Sequence, residues 1–361
     1  MEHRIAVLAG DGIGPEIMEA AIAVAAQVGK KYGHSFSFNE ALIGGAAFDD
    51  CGVHFPDATQ ALCEASEAIL FGAVGGPVSE AQVPKWHRCE ANSLLALRKT
   101  FSFYANFRPA RVYSALKDIC PLKLDAKDQA IDILIVRELL GDIYFGEHKR
   151  FTQNGVRVAT DVARYDETEV TAIAHEAFKA ARKRSGQVTS VDKANVLDTS
   201  RLWREVVNEV AHTYPEVELQ HMLVDNCAMQ LVRNPGQFDV LLTPNMFGDI
   251  LSDLASTLPG SLGLTPSASM NAEGFGMYEP SGGSAPDIAG RGIANPLAQI
   301  LSVAMMLRFS FGMQQEADLI EVAVENSIQN GIRTVDMVGE ESEPARTQQV
   351  TDYICDYIDR N

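Results

Sequence analysis

The sequence has no apolar run long enough to cross a bilayer. Its long apolar stretches, such as residues 300–307 and 131–136, fall far short of the ~20 residues that a membrane helix needs. Positive charge is in deficit: 30 Lys and Arg against 48 Asp and Glu give a net charge of -18. That balance disfavours nucleic acid and anionic membranes as partners. It also means that an anionic substrate requires a local cluster of Arg. Cysteine is sparse. Cys51, Cys63, Cys89, Cys120, Cys227 and Cys355 show no C-x-x-C spacing, so neither structural zinc nor a disulfide framework is expected. There is no fixed-period repeat and no low-complexity segment. The opening residues MEHRIAVLAGDG read as a buried strand and lack a signal-peptide core, so a cytoplasmic location is expected.

What is present fits a large globular chain. At 361 residues, with 46% hydrophobic and 22% charged residues, it exceeds one average domain. Strand-like runs at 4–8, 68–71, 131–136, 188–191, 219–224 and 238–242 alternate with helix-like segments, the first spanning about 16–32. Such alternation predicts an α/β fold with a largely parallel sheet. One stretch, HKRFTQNGVRVATDV, departs from it. Asn154-Gly155 between two β-prone runs predicts a hairpin. Two strands held away from a sheet need cover. A second copy of the same hairpin supplies it and predicts a homodimer; a hairpin folded back on its own domain is the alternative.

Gly10-Asp11-Gly12-Ile13-Gly14-Pro15 follows the first strand but misses the G-x-G-x-x-G pattern, because Pro15 stands where the third Gly belongs. Pro15 suits a first helical turn, and a tight strand-to-helix turn is the better reading. No G-x-x-x-x-G-K-[ST] phosphate loop occurs. In SLLALRK, with Asn92 or Ser93 as the expected cap, Leu94 and Arg98 are i,i+4 and share a face. An apolar side chain beside a cation suits a ligand with an apolar group and a carboxylate. Arg108 and Arg137 add two more cations, Arg137 directly after an apolar strand, where α/β sheets bind ligands.

Asp225 closes the run at 219–224, and Asp249 and Asp253 lie in NMFGDILSDLAS. On a helix the latter two sit one turn apart, with Cβ atoms about 5–6 Å apart. A cation relieves their repulsion, and carboxylate-only ligation with Asp225 favours Mg²⁺ or Mn²⁺ over zinc. A solvated helix face is the plainer reading of such a pair, but the flanks Met246, Phe247, Ile250 and Leu251 are apolar. Tyr144, in RELLGDIYFGE, and Lys193, in SVDKANVL, are candidates for acid and base.

Together these motifs resemble the β-decarboxylating dehydrogenase family, which includes isocitrate, isopropylmalate, homoisocitrate and tartrate/malate dehydrogenases. The resemblance runs through GDGIGPE, SLLALRK, ANFRPAR, VRELLGDIYFG, DKANVL, VDNCAMQLV, NMFGDILSDLAS and GSAPDIAGRGIANP, nearly the whole chain. It implies a two-domain α/β fold with a large mixed, mostly parallel sheet and a protruding β-hairpin arm, not a standard Rossmann fold. One domain would comprise residues 1–103 and 260–361, with both termini and the NAD loop. The other would comprise 104–259, with substrate and metal residues, the arm at about 141–166 and the dimer interface. Substrate would lie in the cleft between them.

Within the family, Leu94 and Leu95 resemble the isopropylmalate branch. A buried Leu rejects a third carboxylate, whose unpaired desolvation is costly. It accepts an isopropyl group, at about 0.8 kcal/mol per buried CH₂. Val196 would extend that pocket. The resemblance implies NAD-dependent oxidative decarboxylation of 3-isopropylmalate, with tartrate/D-malate oxidation or non-catalytic carboxylate binding as alternatives. Arg98, Arg108 and Arg137 would hold the malate carboxylates. Asp225, Asp249 and Asp253 would hold Mg²⁺ or Mn²⁺, Asp225 also facing substrate. Lys193 would take the hydroxyl proton, and Tyr144 would protonate C3. Lys193 and Asp225 would come from the other subunit of a homodimer with shared active sites. Gly283, Ser284, Ala285, Pro286, Asp287 and Ile288 would bind NAD, Asp287 at the adenosine ribose, and Asn295 would lie at the adenine. NADP-using relatives carry Lys and Tyr at the positions of Asp287 and Ile288, and many relatives carry His where this chain has Gly282.

Overall fold

The apolar run at residues 4–8 lies inside the first strand, and the strand-then-helix alternation continues from there. The computed structural model describes residues 2–123, 131–339 and 343–361. Its strands are β1 (Glu2–Gly10), β2 (Ser35–Glu40), β3 (Ala68–Ala73), β4 (Ala105–Arg111), β5 (Asp132–Glu138), β6 (His148–Gln153), β7 (Val156–Asp161), β8 (Gln187–Asp192), β9 (Glu218–Leu223), β10 (Val240–Thr243), β11 (Pro266–Met270) and β12 (Gly276–Pro280). The chain divides into two compact units. The first holds Met1–Ser102, Tyr113–Pro121 and Pro259–Asn361; the second holds Phe103–Val112 and Leu122–Leu258.

In the first unit the strands run in the order β2-β1-β3-β12-β11. Neighbours are parallel except β11 and β12, which are antiparallel. The helix Gly14–Tyr32 follows β1 with Pro15 in its first turn, where the missing N–H costs nothing. The helix Leu297–Phe309 is buried along nearly its whole length. This accounts for a sequence apolar all round instead of striped: the helix is covered on every side.

In the second unit the order is β4-β5-β10-β8-β9. β5, β10, β8 and β9 are parallel, and β4 runs antiparallel to β5. Buried runs such as β5 and β10, apolar without alternation, mark strands covered on both faces. One side packs Ile133, Ile135, Val191, Leu241, Leu251 and Leu258 into a single core. β6 and β7 form a separate antiparallel pair with Gln153 opposite Val156. Asn154 and Gly155 have φ of 52° and 79°, the left-handed values that a two-residue turn between twisted strands requires. Every residue of β6, and all of β7 but one, is exposed.

Two local expectations are corrected. Neither Asn92 nor Ser93 caps a helix. Residues Ala91–Leu95 form a π-turn that runs on into the helix Ala96–Thr100, and the Ser93 hydroxyl donates back to the Cys89 carbonyl at 2.6 Å. A Ser that bonds the preceding turn is not available as a cap. The run at 219–224 also ends one residue early: β9 stops at Leu223, and Val224 opens the helix Val224–Arg233. Asp225 therefore lies in a first helical turn, where the helix dipole favours a carboxylate. The six cysteines are all free thiols. Among the described residues, no helix is long and apolar enough to cross a membrane.

Candidate active site

The site residues fall into three groups. The tightest lies in the second unit, where β4, β5, the turn after β5 and the helix Asn245–Ser256 meet. Arg137 belongs to β5 itself and is 2% exposed. Its Nη1 donates to Asp249, in a contact that is also an ion pair. The Tyr144 hydroxyl donates to the other oxygen of Asp249 at 2.7 Å, and the Arg137 guanidinium lies 5.8 Å from the Tyr144 ring centre. One turn along the helix, Asp253 accepts from Arg108 at 3.1 Å, and Arg108 also donates to the Ser252 hydroxyl at 2.9 Å. Sequence spacing thus placed Asp249 and Asp253 on one face, and the two strands supply an arginine to each.

The electrostatics follow from that arrangement. Burial works to raise the Asp249 carboxyl, but Arg137, the Tyr144 hydroxyl and Arg108 outweigh it and hold it below the ordinary carboxylate range. Tyr144 is pushed the other way, up to about 12, by burial and by donating to the Asp249 carboxylate. It is a neutral O–H donor at any physiological pH.

The second group, also in the second unit, is a pair. Lys193 follows β8 directly, and its Nζ donates to Asp225 at 2.6 Å. That bond lowers the Asp225 carboxyl. The strand end carrying Lys193 is fixed on both sides. Its N–H donates to the Ser200 hydroxyl at 3.0 Å, and the fully buried Asp192 before it takes two bonds of 2.8 Å from Arg204. Val196, close behind, is 60% exposed.

The third group lies in the first unit. Arg98 is buried and paired with Glu279 at 3.0 Å, while its buried Nε meets no acceptor among the described residues. A buried guanidinium nitrogen without an acceptor fits an absent carboxylate. Leu94 and Leu95 are half-buried on the same segment. In the Gly283–Ile288 loop the Ser284 carbonyl accepts the Ile13 N–H at 2.8 Å. The first glycine turn thus braces this loop. Ala285 holds a left-handed φ of 37°, and Asp287 is exposed. A preformed loop presenting a carboxylate fits a ribose diol. Asn295 is already engaged: its amide donates to Asp336 at 2.9 Å and its carbonyl accepts the Leu297 N–H at 3.0 Å.

The donor chemistry suits a hard divalent cation, since the three aspartates offer oxygen only. Yet among the described residues no three His, Cys, Asp or Glu side chains gather closely enough to hold a metal. Asp225 does not join Asp249 and Asp253 within one chain. Glu279, Asn245, Tyr165 and Glu138 are the residues that sequence reasoning missed. Asn245 opens the motif NMFGDILSDLAS, in which the aspartates alone carry a spacing signal. The other three carried no spacing signal, because their side-chain partners lie 27 or more residues away in sequence.

A family model described as isocitrate/isopropylmalate dehydrogenase matches residues 4–354. A 3-isopropylmalate dehydrogenase of Desulfotalea psychrophila is 55% identical over 352 residues, covering 97% of this chain and 98% of that protein. One from Colwellia psychrerythraea is 52% identical, covering 99% of both. Among solved structures, isocitrate dehydrogenase from Methylococcus capsulatus is similar with a TM-score of 0.86 at 34% identity, covering 99% of both chains. A β-decarboxylating dehydrogenase from Thermococcus kodakarensis gives 0.80 at 36% identity, covering 99% of this chain and 96% of that one.

Proposed function

The chain belongs to the isocitrate/isopropylmalate dehydrogenase family, and from that premise we propose that it oxidises and decarboxylates 3-isopropylmalate with NAD⁺ and a divalent cation, a step of leucine biosynthesis. The observation that carries the reading is the line Arg137–Asp249–Tyr144. It joins a cation for a substrate carboxylate, a carboxylate for a metal and a proton donor held neutral. The relatives at 52–55% identity are named for isopropylmalate, and Leu94 and Leu95 supply the apolar contact that its isopropyl group needs.

In this mechanism Arg98, Arg108 and Arg137 bind the malate carboxylates and orient C2 and C3. Lys193 accepts the proton of the C2 hydroxyl. Asp287 binds the ribose hydroxyls and repels a 2′-phosphate, which selects NAD over NADP. Bound NAD⁺ supplies the hydride acceptor. A Mg²⁺ or Mn²⁺ ion held by Asp225, Asp249 and Asp253 supplies the Lewis acidity that oxidation and loss of CO₂ require. Tyr144 gives its proton to C3 once CO₂ has left. Asp225 and Lys193 serve the Asp249–Asp253 pair of a second copy, and the exposed β6–β7 arm is the surface on which two copies meet. A monomer is then inactive. We assign residues 1–103 with 260–361 and residues 104–259 as the two functional domains.

The test is turnover of 3-isopropylmalate, D-malate, tartrate and isocitrate with NAD⁺ and Mn²⁺, each followed by NADH absorbance. Fastest turnover is expected on 3-isopropylmalate. Faster turnover of D-malate or tartrate would overturn the substrate assignment. Ligand-induced stabilisation without NADH would instead indicate a binding protein.

A further inference from the structure

Arg137 has a second set of contacts, on the side away from Asp249. Its Nε and Nη2 both donate to the side-chain oxygen of Asn245, at 3.1 and 2.8 Å. One acceptor lodged between these two nitrogens fixes the rotation of the guanidinium plane. Asn245 is fully buried and is itself held. Its amide NH₂ donates to the Gly141 carbonyl at 3.1 Å, and its backbone N–H donates to the Tyr165 hydroxyl at 2.8 Å. Flipping the amide would set an NH₂ against the arginine donors and an oxygen against a carbonyl, so its orientation is determined twice over.

The chain of contacts continues one step further. Having accepted from Asn245, the Tyr165 hydroxyl donates its one proton to Glu138 at 2.9 Å. Glu138 also takes the N–H groups of Leu140 at 2.6 Å and Gly141 at 2.8 Å. Glu138 follows Arg137 directly in β5, so the two side chains leave opposite faces of the strand. The network therefore passes around the strand and returns to the same arginine. Gly248 makes the approach possible: a Cβ there would stand 2.3 Å from the Thr243 hydroxyl oxygen and 2.7 Å from Arg137 Cγ.

We propose that Asn245, backed by Tyr165 and Glu138, positions the Arg137 guanidinium for the substrate carboxylate. The proposal rests on the reading that Arg137 binds that carboxylate. The competing role is capping alone. The helix Asn245–Ser256 begins after Pro244 with no side-chain cap of its own, and Tyr165 and Asp142 accept its first two N–H groups, at 2.8 and 3.0 Å. A cap supports stability. A positioning group changes how substrate binds.

The experiment compares Asn245→Ala, Tyr165→Phe and Arg137→Lys, and the Asn245→Ala/Arg137→Lys double variant, as full-length proteins. KM for 3-isopropylmalate, kcat and thermal midpoint are read for each. Asn245→Ala is expected to raise KM by about tenfold or more with a smaller fall in kcat, and the double variant to be no worse than Arg137→Lys alone, since both changes spoil one contact. Tyr165→Phe, which removes only a hydroxyl, is expected to raise KM in the same direction, and it serves if Asn245→Ala does not fold. Lower thermal midpoints with KM unchanged in both would overturn the proposal and leave capping. Independent, multiplicative losses in the double variant would also overturn it. An unchanged KM in Arg137→Lys would sink the underlying assignment of Arg137 as well, which separates the two failures.

Discussion

The Tyr144 hydroxyl donates to Asp249 at 2.7 Å, so the proposed proton donor and a proposed metal ligand share one hydrogen bond. Removing that hydroxyl tests both roles. Tyr144→Phe is expected to lower kcat by about 10² or more, the scale of a lost general acid, with a smaller effect on KM. Retained kcat would dismiss Tyr144 as the donor. Because burial and Asp249 push Tyr144 up to about 12, the wild-type rate should show no loss from its ionisation across the neutral range.

Asp253 is the more exposed of the two helical carboxylates, with its side chain 72% exposed against 33% for Asp249. It is consequently the easier one for a metal to reach. Asp253→Asn is expected to weaken Mn²⁺ binding by roughly tenfold or more, since even groups one shell removed from a metal matter on that scale. Calorimetric titration of Mn²⁺ reads this directly. Chelation should abolish NADH formation, and added Mg²⁺ or Mn²⁺ should restore it. A stripped enzyme of undiminished rate would refute the metal assignment.

Asp287 offers its carboxylate from a loop braced by the Ile13–Ser284 bond. Two like charges 4 Å apart in water repel by about 1 kcal/mol, and a 2′-phosphate carries nearly two. Asp287→Asn should therefore improve NADP⁺ relative to NAD⁺ by about tenfold in kcat/KM, 1.4 kcal/mol being a factor of ten. Fluorescence titration of NADPH and NADH provides a binding readout besides turnover. An unchanged ratio would remove Asp287 as the discriminator.

Glu138 is an acid with an unusual pH dependence. Burial outweighs the two backbone N–H groups and the Tyr165 hydroxyl that it accepts, and raises it from 4.5 to about 7. Between those two pH values the unfolded chain has released this proton and the folded chain has kept it, so stability falls as pH rises. The contribution is full below the unfolded value and is lost above the folded one, by on the order of 3 kcal/mol. Thermal midpoints of wild type and Glu138→Gln should converge or cross differently on the two sides of this window, the wild type losing ground as pH rises. Parallel curves would contradict the shift.

The local sequence determined a good deal by itself. Period and turn chemistry placed β1, β5, β8 and β10, and Asn154-Gly155 fixed the β6–β7 turn, because these depend on residues a few positions apart. The i,i+4 spacing put Asp249 and Asp253 on one helix face for the same reason. Pro15 opened a helix where a dinucleotide glycine would stand. The errors were local as well. The Ser93 hydroxyl turned back to Cys89 and left a π-turn where a cap was expected, and β9 gave way to a helix before Asp225.

Tertiary structure alone decided the partners. Arg98 meets Glu279, Arg137 meets Asn245 and Asp249, and Asn295 meets Asp336. Each pair lies tens to nearly two hundred residues apart, and a hydrogen bond depends on direction and distance in space, which no sequence period encodes. The same holds for the raised Glu138 and Tyr144 and the lowered Asp249. Desolvation and neighbouring charge exist only once the strands and helices have closed around them.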